Sequence, residues 1–273
     1  MKVTFLGTGT SHGIPVIGCE CRVCLSTNPK NRRNRTGVWI RGAAGPGAPE
    51  TGVPESSAVI DVSSEFRISA LRAGLKRLDF VLLTHAHSDH VSGLDDLRVF
   101  SQTTGNAVPI HADGRTLSDI RSRFAYAFDP PREYGGGRPE YALREVSGPF
   151  EAGGWRITPL PVLHGPEPIL GYRVEDFAFI TDVTVIPDST LALMGGLDVL
   201  ALDCLRNKPH STHLSLSQAV DYALKIGAKR TFLIHLAHEL EHEETQRSLP
   251  AGVYVAYDGL ELEIAGTAAA SDQ

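Results

Sequence analysis

A stretch of seven residues, 84–90, constrains the fold of this chain more than any other part of the sequence. It reads Thr-His-Ala-His-Ser-Asp-His and follows the apolar run 80–83, and the segment 91–98 after it has helical spacing of apolar residues. This order predicts a strand that runs into a helix. Three imidazoles and one carboxylate would then lie at the corner between the two elements.

The polar side chains at this corner are spaced as metal ligands. Residues two apart on an extended backbone point the same way, so His85 and His87 can reach one metal ion, while the turn carries Asp89 and His90 towards a second. Single histidines are usually surface or satisfied core residues, but this crowding has little purpose without a metal. The stretch therefore predicts a pair of neighbouring metal sites.

Composition limits the other functions open to the chain. A length of 273 residues with 42% hydrophobic content supports one large core, so we expect a single domain over residues 1–273, although length alone allows two. The formal net charge of -6 gives the chain no general affinity for nucleic acid or an anionic membrane. An apolar run of about 18 residues and a cleavable leader are both missing from the sequence, which predicts a cytoplasmic protein.

Three of the four cysteines, Cys19, Cys21 and Cys24, lie within six positions. In a reducing compartment such clustering indicates a metal rather than disulfides, and Cys19 and Cys21 are too close for an easy bridge. Three thiolates are one ligand short of a tetrahedral zinc site, so we expect a fourth ligand from elsewhere, for which histidine is a common choice. The fourth cysteine, Cys204, is predicted to be a small buried residue.

Two N-terminal segments have features that could be taken for phosphate-binding sites. Residues 7–13, Gly-Thr-Gly-Thr-Ser-His-Gly, lack the glycine spacing of a dinucleotide-binding loop, and Pro15 stands where its helix would begin. We predict instead a tight loop at the mouth of the site, with His12 structural. The basic run 30–35 is predicted to be a solvated turn, and a guanidinium contact to a substrate phosphate is the alternative.

Strand and helix patterns alternate through the rest of the chain. Strands are predicted at residues 37–41, 57–62, 78–84, 107–112, 155–162, 172–174, 177–181 and 198–203, and helices at 65–74 and 117–127. The insertion 42–54 and the stretch 128–140 are predicted loops, the second either a pocket rim or a solvated excursion. This alternation, with polar residues at strand ends, predicts a layered α/β sandwich.

Three further residues stand just past strand patterns: His164 after 157–163, Asp182 after 179–181 and His235 after 231–234. With the His-x-His-x-Asp-His stretch they fill every slot of the signature of the metallo-β-lactamase fold, which the chain therefore resembles. The resemblance implies an αββα sandwich of two mixed sheets flanked by helices, and a metallohydrolase with two catalytic divalent ions, manganese or zinc, about 4 Å apart. It implies the following ligands: His85, His87 and His164 for one ion, Asp89, His90 and His235 for the other, and Asp182 as the bridge. It further implies that Asp89 orients the attacking hydroxide.

Three features narrow the resemblance: the Gly-Thr-Gly-Thr-Ser loop, the Cys-x-Cys-x-x-Cys cluster, and His238, three residues after the last catalytic ligand. Together they are similar to the phosphoribosyl 1,2-cyclic phosphate phosphodiesterases of phosphonate breakdown. The similarity runs from residue 2 to about residue 264 and is weakest at 42–54 and 128–140. In that family the three cysteines and this histidine bind one structural zinc.

The same resemblance singles out His213, which precedes a helix that Ser215 and Gln218 are predicted to cap. A phosphodiester leaving group needs a proton and histidine titrates near neutrality, so we predict His213 as the general acid. The alternative is a helix-entry residue bonded to the backbone. His210 is a weaker candidate for the same role.

The sequence therefore predicts a metal-dependent phosphodiesterase that hydrolyses a small cyclic phosphate or nucleotide-like phosphodiester by a metal-bound hydroxide. The predicted partner is this small substrate, with no extended nucleic acid and no membrane. The sequence leaves open whether the protein forms a homodimer. A tRNA 3′-processing-like endonuclease would need a basic surface, and a secreted β-lactamase would need a leader. Further alternatives are a pyrroloquinoline-quinone biosynthesis-like protein and a non-enzymatic, metal-stabilised binding protein.

Overall fold

The structure is a computed structural model that describes residues 1–43, 55–128 and 137–264. Within these ranges the strands form two seven-stranded sheets. The first sheet has the order β14 (Glu261–Glu263), β1 (Lys2–Gly7), β2 (Gly37–Gly42), β3 (Ser56–Ile60), β4 (Phe80–Leu82), β5 (Val108–Ala112) and β6 (Tyr141–Glu145). The second has the order β13 (Val253–Val255), β12 (Arg230–Ile234), β11 (Val199–Asp203), β10 (Phe177–Ile180), β9 (Glu167–Val174), β8 (Trp155–His164) and β7 (Phe150–Ala152).

Both sheets are mixed in the same way. Pairing is antiparallel from β14 to β3 and parallel from β3 to β6. It is likewise antiparallel from β7 to β10 and parallel from β10 to β13. In a parallel sheet the carboxyl ends of the strands lie at one edge, which is where polar residues from distant parts of the chain can meet.

The two sheets pack face to face through one apolar core. Phe5 and Ile60 of the first sheet belong to the same buried cluster as Phe179 and Ile234 of the second. Successive side chains on a strand alternate between faces, so Val59 points away from this core towards the outer helices. The inner face of each sheet is therefore withdrawn from water along its length.

Helices cover the outer faces. Their bounds are α1 (Phe66–Ala73), α2 (Ser88–Val91), α3 (Arg98–Thr104), α4 (Gly114–Arg123), α5 (Asp188–Leu191), α6 (Leu216–Ile226) and α7 (His242–Ser248). Apolar residues of α1, α3 and α4 pack on the first sheet, and those of α6 pack on the second. The predicted αββα sandwich of two mixed sheets is confirmed. In the described part of the chain, no helix has the length and apolarity needed to cross a membrane.

Several predicted elements have different bounds in the structure, as two of them illustrate. The helix predicted at 117–127 begins at Gly114, because the Asp113 carboxylate accepts a hydrogen bond from the Thr116 amide and caps the helix there. The strand predicted at 78–84 is paired only over Phe80–Leu82. Beyond it the Leu83 amide still donates to the His111 carbonyl at 2.9 Å, and the side chains from His85 onwards are available to the site.

The predicted helix cap before α6 is present. The Ser215 side chain accepts from the Gln218 amide, and the Gln218 side chain accepts from the Ser215 amide. This capping box fixes the direction in which the chain enters α6 and so holds the preceding residues. The loops predicted at 42–54 and 128–140 fall mostly outside the described residues.

The basic run 30–35 is not the solvated turn that was predicted. Arg33 is 1% exposed, and its guanidinium donates to the carbonyls of Ala237 at 3.2 Å and Leu240 at 2.8 Å. A buried arginine needs such partners because an unpaired buried charge is costly. Arg33 therefore holds the loop after β12, and its partners are too far along the chain for the sequence to indicate them.

Gly7 allows the N-terminal loop to pack closely on a neighbouring segment. A Cβ atom at this position would lie 2.0 Å from the carbonyl oxygen of Arg35, closer than side-chain atoms come. Beyond Gly7, the Thr8 hydroxyl donates to the Asp258 carboxylate at 2.8 Å. The loop is thus fixed at its base on two sides, as a tight loop requires.

Candidate metal centre

The carboxyl ends of several strands bring the predicted ligands to one edge of the sandwich. His85 and His87 follow β4, His164 ends β8, Asp182 follows β10 and His235 follows β12. The short helix α2 carries the remaining two predicted residues of the set. Four strands from two sheets thus supply one cluster, as the pattern of strand-end polar residues predicts.

Asp182 lies between two groups of imidazoles. Its Oδ1 atom is 4.0 Å from Nε2 of His85 and 4.0 Å from Nε2 of His164. Its Oδ2 atom is 3.2 Å from Nε2 of His90 and 3.4 Å from Nε2 of His235. One carboxylate thereby presents an oxygen to each group, which is the geometry of a bridging ligand.

The structure brings together every residue of the two ligand sets that the resemblance implies. Within each set the donor atoms lie within 4.8 Å of one another. The sets are His85, His87, His164 and Asp182, and Asp89, His90, Asp182 and His235. Aspartate and histidine in this number suit zinc, manganese or iron equally, so the donor set does not choose between them.

Unsatisfied nitrogens at the centre fit divalent metal ions. The Nε2 atoms of His85, His90 and His235 are buried and have no hydrogen-bond partner among the described residues. Buried polar atoms are almost always paired, because leaving one unpaired costs about 1–3 kcal/mol. Three such atoms directed at one carboxylate are accounted for if each Nε2 lone pair binds a cation.

At His85, His90 and His164 the other ring nitrogen, Nδ1, forms a hydrogen bond. His90 donates from Nδ1 to Asp61 at 2.7 Å, and His164 donates from Nδ1 to the Thr212 carbonyl at 2.8 Å. The Thr84 hydroxyl donates to Asp61 at 2.8 Å and so accepts from Nδ1 of His85 at 2.9 Å. Each of these bonds places the proton on Nδ1 and leaves Nε2 free to bind a metal.

Asp61 also belongs to the site, although it was not predicted from the sequence. It stands just past β3, whose five residues are all buried, and is itself 1% exposed. Asp182 was assigned because it fills a slot of the resembled ligand pattern. That pattern has no slot for Asp61, and the predicted strand 57–62 included Asp61, whereas β3 ends at Ile60.

Backbone strain is concentrated at the centre. Among the described residues, four non-glycine positions have positive φ, and three of them are Asp61 (61°), Asp182 (55°) and His235 (59°). This left-handed conformation costs of order 1–3 kcal/mol for a residue with a side chain. The surrounding fold thus holds these three side chains in orientations that an unstrained strand end would not give.

The centre is acidic enough to favour a positive charge. Burial opposes a charge on His90, but the carboxylates of Asp182, Asp89 and Asp61 outweigh it and raise its pKa well above the usual histidine value. Burial also opposes ionisation of Asp182, yet His235 and His90 hold its pKa well below the usual value. A bound divalent cation would supply the charge that these carboxylates attract.

His213 lies against both donor sets. Its ring stacks on His235 with centroids 4.8 Å apart, and its Nε2 is 3.8 Å from Oδ1 of Asp182. Its Nδ1 donates to Asp203 at 3.3 Å, and that buried carboxylate also accepts the amides of Leu214 at 2.9 Å and Asp182 at 3.1 Å. Asp203 therefore fixes the ring of His213 so that Nε2 faces the centre.

The predicted cysteine cluster is also assembled. Nδ1 of His238 lies 3.2 Å from Sγ of Cys19, 3.5 Å from Sγ of Cys21 and 3.5 Å from Sγ of Cys24. One nitrogen cannot share a hydrogen bond with three sulfurs, whereas tetrahedral zinc with ordinary bond lengths puts sulfur and nitrogen about 3.5 Å apart. The amide of Cys24 lowers the pKa of Cys21 to about 6, which favours the thiolate that zinc requires.

The structure also locates three other residues that were considered from the sequence: His12, His210 and Cys204. His12 is exposed and lines a cavity beside His213, so it is not buried in the loop as a structural residue would be. The ring of His210 lies 5.2 Å from that of His213. Cys204 is fully buried, as predicted, and burial raises the pKa of its thiol well above the usual value.

Solved structures match the whole fold. The crystal structure of a new diphosphatase from the PhnP family superimposes with a TM-score of 0.85 at 40% identity, covering 96% of each chain. Zinc-bound PqqB from Methylobacterium extorquens superimposes with a TM-score of 0.76 at 18% identity, covering 97% of this chain and 100% of PqqB. The second likeness, at that identity, is one of fold alone.

Curated relatives match to different extents. The octanoyltransferase of Porphyromonas gingivalis is 38% identical over 268 residues, which cover 97% of this chain and 52% of that protein. The chain therefore spans about half the length of this relative. The ribonuclease Z of Bradyrhizobium diazoefficiens is 35% identical over 108 residues, which cover 37% of this chain and 33% of that protein.

The family model described as "Beta-lactamase superfamily domain" matches residues 57–236. That range begins in β3 and ends one residue past His235, so it includes all seven residues of the two donor sets. The match also covers more than half of the chain, and the two mixed sheets between layers of helices have the architecture of the metallo-β-lactamase fold. This chain belongs to the beta-lactamase superfamily.

Proposed function

We propose that the protein is a metal-dependent phosphodiesterase that hydrolyses a small phosphodiester of the phosphoribosyl 1,2-cyclic phosphate type. The observation that carries the proposal is the position of Asp182, which presents one oxygen to each imidazole group while His213 faces the same carboxylate. Two cation sites beside one proton donor suit a reaction in which negative charge builds on phosphoryl oxygens and a leaving oxygen needs a proton.

The two donor sets would hold two divalent ions, and the cysteine cluster with His238 would hold a structural zinc. The catalytic ions would lower the pKa of a water molecule and neutralise phosphoryl oxygens. Asp89, half-buried, has Oδ2 3.2 Å from Nε2 of His90 and 3.6 Å from Nε2 of His235. We assign Asp89 two roles, as a ligand and as the carboxylate that orients the attacking water.

His213 is assigned the proton transfer. Because its Nδ1 donates to Asp203, the proton for the leaving oxygen is held at Nε2, the atom that faces the centre. The buried Asp203 carboxylate stabilises the imidazolium before transfer and the orientation of the ring after it. The water oxygen bonds to phosphorus and gives up one proton, the phosphorus–oxygen bond of the alcohol breaks, and the alcohol oxygen takes the proton from His213. The proton released by water then replaces the one that His213 has given.

Other activities named among the relatives are less well supported by the residues of this chain. An acyl transfer through cysteine would need an accessible thiolate, whereas Cys204 is buried and the other three cysteines lie with His238. A long RNA substrate would favour a basic chain, and this one has a formal net charge of -6. A small diester is the better fit to both observations.

The proposal is tested with bis(p-nitrophenyl) phosphate and a matched diester with an alkyl leaving group, using metal-loaded protein and a chelated control. We expect metal-dependent hydrolysis of both. His213→Gln should slow the alkyl ester by about 10²- to 10⁴-fold but the aryl ester far less, because a phenolate departs without a proton.

His111→Gln is the matched control for this substitution. His111 stacks on Phe150 with centroids 4.8 Å apart and has no contact with the donor sets, so the variant should keep both rates. Equal losses on the two esters in His213→Gln would contradict the proton-transfer role. No hydrolysis of either ester by the wild-type protein would contradict the proposal as a whole.

A further inference from the structure

The three clustered cysteines lie on a segment that has little apolar core of its own. We call residues 14–25 the cysteine loop. Its buried apolar residues, Ile14, Val23 and Cys24, form a small cluster that is separate from the large cores of the two sheets. A core of this size does not stabilise a segment by itself, and a structural metal is a common substitute. The packing of the cysteine loop against the loop after β12 therefore depends on the zinc that it would share with His238.

Cys21 and Cys24 stand at the two ends of a single turn. The Leu25 amide donates to the Cys21 carbonyl at 3.0 Å and closes the turn, and the Cys24 amide donates to Sγ of Cys21 at 3.4 Å. Residues three apart on such a turn face the same side. The donor atoms of the cluster lie within 4.8 Å of one another, so a small shift brings these two sulfurs to the about 2.05 Å of a disulfide.

The two sulfurs differ in exposure in the way that an oxidisable pair requires. Cys21 is half-buried and within reach of a small oxidant, whereas Cys24 is 7% exposed. A cysteine that ligates zinc is held as a thiolate, which is the form that attacks a peroxide. An accessible cysteine that is oxidised in this way is resolved by a neighbouring thiol to a disulfide.

His238 connects the cysteine loop to the candidate metal centre. It follows His235 by three residues, and His235 has a left-handed backbone with φ of 59°. Between them, the Leu236 amide donates to the Thr8 carbonyl at 3.0 Å, and the Leu236 carbonyl accepts the Thr10 amide at 3.2 Å. The N-terminal loop that makes these two bonds runs directly into the cysteine loop. Zinc at the cluster would thus close a ring around the segment that carries His235, and loss of the zinc would open it.

We propose that Cys21 and Cys24 are a peroxide-sensitive modification site, whose oxidation to a disulfide releases the structural zinc and weakens binding of the catalytic ion held by His235. The inference rests on the metal sites of the proposed function and adds a means of regulating them. It does not depend on which ester is the substrate. Oxidation would thereby lower the metal content of the centre without altering any catalytic ligand.

The chemistry consumes hydrogen peroxide. The Cys21 thiolate attacks one peroxide oxygen, the oxygen–oxygen bond breaks, and a sulfenic acid and a hydroxide are formed. The Cys24 thiolate then attacks the Cys21 sulfur and displaces a second hydroxide, which leaves the disulfide. The two sulfurs lose two electrons to the peroxide oxygens, and two protons from solvent convert the hydroxides to water. Only Cys19 and His238 then remain as ligands, which are too few for a tetrahedral zinc site.

The test treats protein with zinc at the cluster and manganese at the centre with hydrogen peroxide, and follows released zinc with a chromophoric indicator. We expect zinc release together with a Cys21–Cys24 bond, located by mass spectrometry after the remaining thiols are alkylated. After catalase has removed the peroxide, competition with a chelator should show manganese affinity about 10- to 100-fold lower at the set that contains His235, as is typical when a ligating histidine loses its orientation. Dithiothreitol and added zinc should restore this affinity.

Cys204→Ser is the matched control, because it removes a buried thiol outside the cluster. It should release zinc as wild type does, and resistance of this variant to peroxide would contradict the assignment to Cys21 and Cys24. Cys21→His keeps a zinc ligand at this half-buried position but removes the pair, so it should retain its zinc in peroxide. Locating the bond in wild type decides the proposal even if Cys21→His does not bind zinc.

Three results with wild type would overturn the proposal: zinc that stays bound in peroxide, zinc that is released without a Cys21–Cys24 bond, and a bond that leaves manganese affinity unchanged. These measurements need no turnover. If they succeed while no diester is cleaved, the modification site stands and the proposed phosphodiesterase function fails. If diesters are cleaved and peroxide leaves the zinc in place, the function stands and the modification site is wrong.

Discussion

Replacing Asp61 by asparagine would disturb the candidate metal centre without removing a proposed ligand. One oxygen of Asp61 accepts the Thr84 amide at 2.9 Å, and the other accepts the Thr84 hydroxyl at 2.8 Å and Nδ1 of His90 at 2.7 Å. Asparagine keeps one acceptor and turns an NH₂ group towards His90. The His90 ring must then accept a hydrogen bond at Nδ1. Its proton moves to Nε2, where it blocks the lone pair that faces the centre.

The size of the effect follows from this change of tautomer. Loss of a partner that orients a ligating histidine typically reduces metal affinity by about 10- to 100-fold. That corresponds to about 1.4–2.7 kcal/mol of binding free energy, at about 1.36 kcal/mol for each factor of ten. The free energy of unfolding without metal should fall as well, by about 1–3 kcal/mol, because two hydrogen bonds to a charged, buried carboxylate oxygen are replaced at best by weaker neutral ones.

Metal affinity is measured by competition with a chelator, and stability by denaturant unfolding in the chelator. The control is Asp79→Asn: Asp79 accepts the Ser57 amide at 2.9 Å at the opposite end of the same two strands. This variant should lose stability and keep its metal affinity. If Asp61→Asn binds both catalytic metals as tightly as wild type does, the reasoning about the His90 proton is refuted.

Three other substitutions test separate parts of the account. Cys21→Ser should lower zinc content and also turnover, since His235 and His238 lie on one short segment; unchanged metal content and turnover would contradict this coupling. Gly7→Ala should reduce the free energy of unfolding by about 1–3 kcal/mol, because its Cβ would lie 2.0 Å from a backbone oxygen, whereas Gly148→Ala, with nothing within 4 Å, should not. Burial raises the pKa of Asp258 from 3.8 to about 7, so the folded state holds a proton that the unfolded state releases, and stability should fall as pH rises through this window. In denaturant unfolding, Asp258→Asn should remove up to about 4 kcal/mol of this change in the free energy of unfolding with pH. Identical pH profiles of the free energy of unfolding in wild type and Asp258→Asn would contradict this prediction.

The positions of the donor residues were predictable because each follows a recognisable strand. His85, Asp182 and His235 come shortly after strands whose apolar residues are buried, and His164 is the last residue of β8. The layered architecture brings such strand ends to one edge. The sequence did not reveal which oxygen of Asp182 faces which imidazole. That depends on the left-handed backbone at Asp182, which neighbouring segments impose.

The residues that were missed or misjudged act through contacts distant in sequence. Arg33 was predicted to be solvated, since basic runs usually are, but its partners lie on the loop after β12. Asp61 contacts His90 across 29 positions, and only the pairing of β3 beside β4 brings them together. Local patterns predict elements and strand ends well, whereas the hydrogen-bond partners that orient a site depend on the assembled fold.

Phosphorus NMR of ribose 1,2-cyclic phosphate 5-phosphate, incubated with manganese-loaded protein and with a chelated control, tests the central claim most directly. We expect metal-dependent conversion of the cyclic diester to a ring-opened monoester. If the cyclic ester persists while an aryl diester is cleaved, the chemistry stands and the substrate assignment is wrong. If both persist with the metals bound, the phosphodiesterase account is contradicted.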